Sequence, residues 1–204
     1  METQRIVLFG ANTEAGGRIL TEALSRGYKV TTILPRPEKV AKSHTNLTKL
    51  EGNIMNKNDI RSKLKGYDVV INVYDVKMDP LELYRGTTNL IDAIKLDDVR
   101  QLIVLGHPSA YETEPSLPIP VGQEGWKAVS EAQRKTLDAL ENETDFCWSY
   151  IHQPALTDTP RKPAPANKIF IKNSENEQYY PVQNFHKTVV DEVERFTEAH
   201  IEKI

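Results

Sequence analysis

The segment RIVLFGANTEAGGRIL, Arg5 to Leu20, constrains the fold more than any other. A compact β-branched run ends at Gly10, and an amphipathic stretch follows within a few residues. In GGRILTEALSRG, residues Ile19, Leu20, Ala23 and Leu24 fall on one helical face, and Gly27 stops the pattern. Strand, tight turn and helix in that order make the opening half of a βαβ unit.

The alternation then repeats. YKVTTILP reads as a second strand, DIRSKLKG as a short helix and YDVVINVY as a buried strand. GTTNLIDAIKLDD is helical, with Leu90, Ile91 and Ile94 on one face. RQLIVLG is the next strand, GWKAVSEAQRKTLDALENE a long helix and FCWSYIHQP a strand stopped by proline. KTVVDEVERFTEAHIEKI closes the chain as a helix with Val189, Val193 and Phe196 inward and its acidic residues on a solvated face. Repeated βαβ units imply right-handed crossovers, a parallel sheet and helices on both of its faces. The 204 residues suit a single α/β domain, 1–204, in which residues 155–186 are expected to add a small substrate-side lobe. Two irregular stretches, GHPSAYETEPSLPIPVGQEG and TDTPRKPAPANK, follow strands. Such carboxyl-end loops are where open parallel sheets bind ligands.

Composition narrows the function. A net charge of -3 argues against non-specific nucleic-acid binding, which needs a basic face. No apolar run approaches the roughly 20 residues that cross a bilayer, and no signal peptide is read before the first strand. Cys147 is the sole cysteine, so no intrachain disulfide forms, and a reducing cytoplasm is the expected compartment. The five histidines have no ligand spacing, so no metal site is expected. A monomer or a homodimer fits equally.

The first turn resembles a phosphate-binding one. Gly10 permits a tight turn, Gly16 permits close helix–strand packing, and the helix N-terminus between them offers free N–H groups to a pyrophosphate. Asn12, Thr13, Glu14 and Ala15 fill the turn. Thr13 stands where the middle glycine of GxxGxxG belongs, so its side chain is expected to narrow the approach of a phosphate. Glu14 adds a like charge. The double change Thr13→Gly with Glu14→Gln is expected to tighten binding. After the second strand comes TTILPRPEK rather than an acid. Arg36 stands where an arginine pairs with a 2′-phosphate, which favours NADP(H).

With these pieces assembled, the chain resembles the atypical short-chain dehydrogenase/reductases of the NmrA-like and NADH-flavin or biliverdin-IXβ reductase type. The resemblance rests on VLFGANTEAGGRIL, VTTILPRPEKV, LEGNIMNKNDIRSKLKGYDVVINV, GTTNLIDAIKLDDVRQLIVLGHPSAY and WSYIHQPALTDTP, in family order to about Pro160. It implies a Rossmann-type, doubly wound sheet. It implies that Gly10 to Gly16 hold the pyrophosphate and that Asn53 and Ile54, in GNI where the family has GDV, flank the adenine. It also implies that Asn72, Val73 and Tyr74 line the nicotinamide ribose, that Ser109 sits beside nicotinamide and substrate, and that Pro154 lies near the carboxamide.

One departure shapes the expected chemistry. The Tyr-x-x-x-Lys pair of ordinary dehydrogenases belongs on the long helix, and WKAVSEAQRK has no tyrosine. Ketone reduction by that pair is therefore not expected. Hydride transfer to a flavin, quinone or similar flat small-molecule acceptor needs no such pair, and His107 or Tyr111 can donate a proton beside Ser109. Trp126 or Tyr74 can stack on the acceptor. The rival expectation is a non-catalytic NAD(P)-sensing regulator. A third is a fold that binds no dinucleotide.

Overall fold

A computed structural model describes residues 4–73, 79–106, 122–152, 168–174, 177–181 and 185–201. The chain begins with β1 (Arg5–Phe9), α1 (Glu14–Ser25) and β2 (Lys29–Leu34), followed by a 3-10 turn (Pro37–Lys39). Then come β3 (Leu47–Glu51), α2 (Lys57–Leu64), β4 (Val69–Val73), α3 (Pro80–Ile94) and β5 (Gln101–Gly106). The chain closes with α4 (Gly122–Glu141), β6 (Cys147–His152), β7 (Lys168–Asn173), β8 (Glu177–Pro181) and α5 (Phe185–Ile201).

Among the described residues the strands form one sheet in the order β3-β2-β1-β4-β5-β6-β7-β8. The first six pair in parallel. β7 and β8 extend the β6 edge as an antiparallel hairpin, which the sequence reading did not identify. β1 shows why both faces are covered. Ile6 and Leu8 pack with Ile19, Leu20, Val189 and Val193 of α1 and α5. Val7 and Phe9 face the other way, onto Ile60, Leu90, Ile94 and Leu140 of α2, α3 and α4. Alternation on a strand apolar on both sides requires two helical layers.

Two polar devices anchor α5. Arg26, at the end of α1, meets Glu22 at 2.8 Å, Asp191 at 2.6 Å and Glu194 at 3.0 Å. Glu192 contradicts the expected solvated acidic face. It is only 4% exposed, accepts from Ser149 Oγ at 2.7 Å and from Asn173 Nδ2 at 3.3 Å, and its carbonyl accepts from Gln101 Nε2 at 3.2 Å. The helix turns this residue inward because β6 and β7 present donors to its carboxylate and β5 presents one to its backbone carbonyl. Periodicity cannot show partners from distant strands. No described helix is long and apolar enough to cross a membrane.

Candidate dinucleotide site

The strand order reverses between β1 and β4, so a crevice opens beyond their carboxyl ends. Gly10 lies in it with φ +77°, and a Cβ there would collide with the carbonyl of Val73. Gly16 lies one turn into α1, where a Cβ would collide with the carbonyl of Gly10. Both glycines are therefore dictated by close backbone approach.

Thr13 has a structural role in the turn beyond the narrowing expected of it. It is the N-cap of α1 in extended conformation. Its hydroxyl donates to Gly10 O at 2.8 Å and accepts from Gly16 N at 3.0 Å. A glycine at this position would lack both bonds. Glu14 is also differently placed. Its carboxylate meets Arg18 at 2.6 Å, one helical turn on, and it lines a separate cavity with Arg18 and His186. The ion pair offsets the charge that was expected to repel a phosphate.

The crevice is a cavity of about 400 Å³. Gly10, Asn12 and Thr13 form its turn side. Arg36 and Lys39 stand at the end of β2, both exposed, with Pro35 between the strand and the arginine. Asn53, Ile54, Asn72 and Val73 also line it. Glu14, Ala15 and Gly16 do not, and Ala15 is buried beneath the turn. Tyr74, His107, Ser109, Tyr111 and Pro154 lie outside the described residues, as does the side chain of Trp126.

Local bonding sets the cavity walls. Asn53 Oδ1 accepts from Met55 N at 2.9 Å, and Asp59 Oδ2 accepts from Asn53 N at 3.0 Å, so this residue shapes the loop that leads into α2. Asn72 is buried on β4, and its Nδ2 donates to Thr87 Oγ1 of α3 at 3.2 Å. A Cβ on Gly86 would lie 3.3 Å from Ile54, which shows how closely α3 covers that apolar wall. The sequence reading missed Lys39, Glu82 and Leu83, which also line the cavity. Lys39 was recoverable from RPEK, because a proline-started turn brings a residue three positions on back beside Arg36. Glu82 and Leu83 carry no sequence signal, since the packing of α3 alone brings them there.

The cavity has the general features of a nucleotide pocket. Its glycine turn admits backbone approach, its walls at Ile33, Ile54 and Leu83 are apolar, and two cations stand at its rim. Fold and site thus define a Rossmann-type dinucleotide-binding protein. A model of the NAD(P)H-binding family matches residues 10–182, and the chain belongs to that family. This agrees with the NAD(P)-binding family expected from the sequence.

The uncharacterized protein YwnB of Bacillus subtilis is 23% identical over 200 residues, spanning 93% of this chain and 92% of that one. The structure of the oxidoreductase ylbE of Lactococcus lactis matches with a TM-score of 0.66 at 20% identity, over 77% of this chain and 72% of that one. A short-chain dehydrogenase/reductase of Veillonella parvula, solved in complex with NADP, matches with a TM-score of 0.56 at 14% identity, over 73% and 68%. Both structural likenesses show the fold.

Proposed function

We propose that the protein is an NADP(H)-dependent reductase that passes hydride to a flat acceptor such as a flavin or quinone. The observation that carries the cofactor choice is the pair Arg36 and Lys39 at the rim of the cavity, where Pro35 and Arg36 directly follow β2 and the nearby Glu38 does not line the cavity. A carboxylate there would accept from ribose hydroxyls and repel a 2′-phosphate, whereas two cations attract it. Arg36 offers a planar fork to the phosphate, and Lys39 adds a point charge. The Gly10–Thr13 turn and the N-terminus of α1 would hold the pyrophosphate. Asn72, fixed by Thr87, would orient the ribose toward the β4 edge.

When bound, the nicotinamide supplies the hydride. The chain's work is to orient the acceptor and keep water from the transfer. The resemblance implies that Ser109 sits beside nicotinamide and acceptor, where its hydroxyl would hold the acceptor by a hydrogen bond, and His107 or Tyr111, which flank it in the sequence, would deliver the proton that completes a two-electron reduction. Ser109→Ala should then lower turnover more than it weakens NADPH binding.

The missing tyrosine on α4 favours a second reading, a nucleotide sensor without turnover. Titration with NADPH and NADH, followed by nicotinamide fluorescence and then by assay with flavins and quinones, separates the two. Tighter NADPH binding with turnover supports the reductase. Binding without turnover of any acceptor supports the sensor. No binding of either dinucleotide overturns both.

A further inference from the structure

A second pocket lies at the opposite, amino-terminal edge of the sheet, with a volume of about 300 Å³. Arg5 opens β1, Lys29 opens β2, and Lys65 ends α2, so three separate elements bring a cation to one place. Among the described residues, no acidic side chain lines this pocket. Lys29 and Lys65 are exposed, and neither has an ion-pair partner among the described residues. Asp68 Oδ2 accepts from the backbone N of Arg5 at 2.8 Å and lies 3.9 Å from its Nε, while the terminal nitrogens of Arg5 lie over Gly66.

Helix chemistry accounts for only one of these charges. Lys65 complements the carbonyl end of α2. Arg5 and Lys29 start strands and have no such duty. Gathering like charges around an open pocket is unfavourable unless an anion offsets it.

A buried donor completes the site. Thr31, 5% exposed, lines the pocket beside Tyr67. Tyr67 Oη donates to Thr31 Oγ1 at 2.9 Å. Two hydroxyls carry two hydrogens and share this one bond, so one O–H remains available. A buried hydroxyl with an unused hydrogen beside three cations calls for an acceptor.

We propose that this pocket binds a phosphate-type dianion, either free phosphate or the head of a small polar phosphate monoester. Arg5, Lys29 and Lys65 supply the charge, and the Thr31–Tyr67 pair supplies a directed donor. The lining holds little apolar surface beyond Val30, so the rest of the ligand is polar and small. In a chain of net charge -3, a small pocket of this kind suits a single dianion rather than a nucleic-acid strand. The pocket stands apart from the dinucleotide crevice and does not depend on the reading of that crevice.

The test is a titration of isotope-labelled protein with inorganic phosphate at constant ionic strength, followed by amide chemical shifts. Saturable shifts should centre on Thr31, Asn46, Gly66 and Tyr67. Lys29→Ala with Lys65→Ala, both at exposed positions, should weaken binding by at least about tenfold. Thr31→Val should weaken it too, while Arg36→Ala should leave it unchanged. Tighter binding of glycerol phosphate than of inorganic phosphate supports the monoester, and equal binding supports free phosphate. Shifts confined to the Gly10 turn and Arg36, shifts that chloride reproduces, or unchanged affinity in the lysine double variant would each overturn the proposal.

Discussion

Gly16 lies so close to the carbonyl of Gly10 that no side chain fits between them. The contact seats α1 against the end of β1 and fixes where the helix N-terminus points. Gly17, the next residue, has only Ala11 O near its Cβ position, at 3.7 Å. Gly16→Ala should therefore displace the turn, lowering thermal stability and NADPH affinity together. Gly17→Ala should be tolerated, with a gain of up to about 1 kcal/mol from helix propensity. Thermal melts of the two variants check this, and equal melts would show that the close approach to Gly10 does not constrain position 16.

Thr13 should act as a cap and not as an obstruction. Thr13→Ala loses the bonds to Gly10 O and Gly16 N and should cost about 1 kcal/mol of stability. Thr13→Ser keeps the hydroxyl and should stay near wild type. Urea unfolding of the three proteins decides it. An alanine variant as stable as wild type would show that the Thr13 cap contributes nothing to stability.

Arg36→Ala should weaken NADPH by about 1.5–3 kcal/mol, the range for hydrogen bonds to charged groups, and leave NADH nearly unchanged. Lys39→Ala should act in the same direction but less, because a lysine presents a point charge rather than a fork. Calorimetry with both cofactors measures the difference. Equal losses for NADPH and NADH would place the phosphate elsewhere.

Tyr28 should make the fold sensitive to alkali. Burial, and then the Glu194 charge that its hydroxyl meets at 3.4 Å, push its pKa from 10.0 up to about 12. A raised pKa means that the unfolded chain releases this proton first. The contribution is complete below about pH 10 and is lost as pH rises toward about 12. Urea midpoints across that window should fall more steeply for wild type than for Tyr28→Phe. Parallel pH profiles would mean that Tyr28 ionises as a free phenol.

Glu192→Ala should cost about 1–3 kcal/mol, since Ser149 and Asn173 would lose a buried acceptor. Asp191→Ala, at an exposed end of the Arg26 network, should cost less, about 0.2–1 kcal/mol. Hydrogen exchange in α5 gives a second readout, with faster opening expected for the Glu192 variant. Equal costs would show that the buried carboxylate adds nothing beyond a surface pair.

The sequence by itself determined the layered α/β fold. β-branched runs such as RIVLF and VVINV, each followed by a helical stripe, leave few arrangements other than a parallel sheet covered on both faces. It also determined where the dinucleotide crevice begins, because Gly10 and Gly16 carry a backbone requirement that composition cannot hide. Arg36 was legible because chain distance from the turn fixes its place at the end of β2. Tertiary structure alone decided the rest. Whether Thr13 obstructs or caps depends on where one hydroxyl points, and letters do not record a rotamer. Glu192 reads as a surface acid until three strands, distant in sequence, present their polar groups to it. Lys29, Arg5 and Lys65 look like scattered solvated charges. They become one pocket only when β1, β2 and the end of α2 meet, because side-chain proximity across a sheet is set by strand order and not by sequence distance.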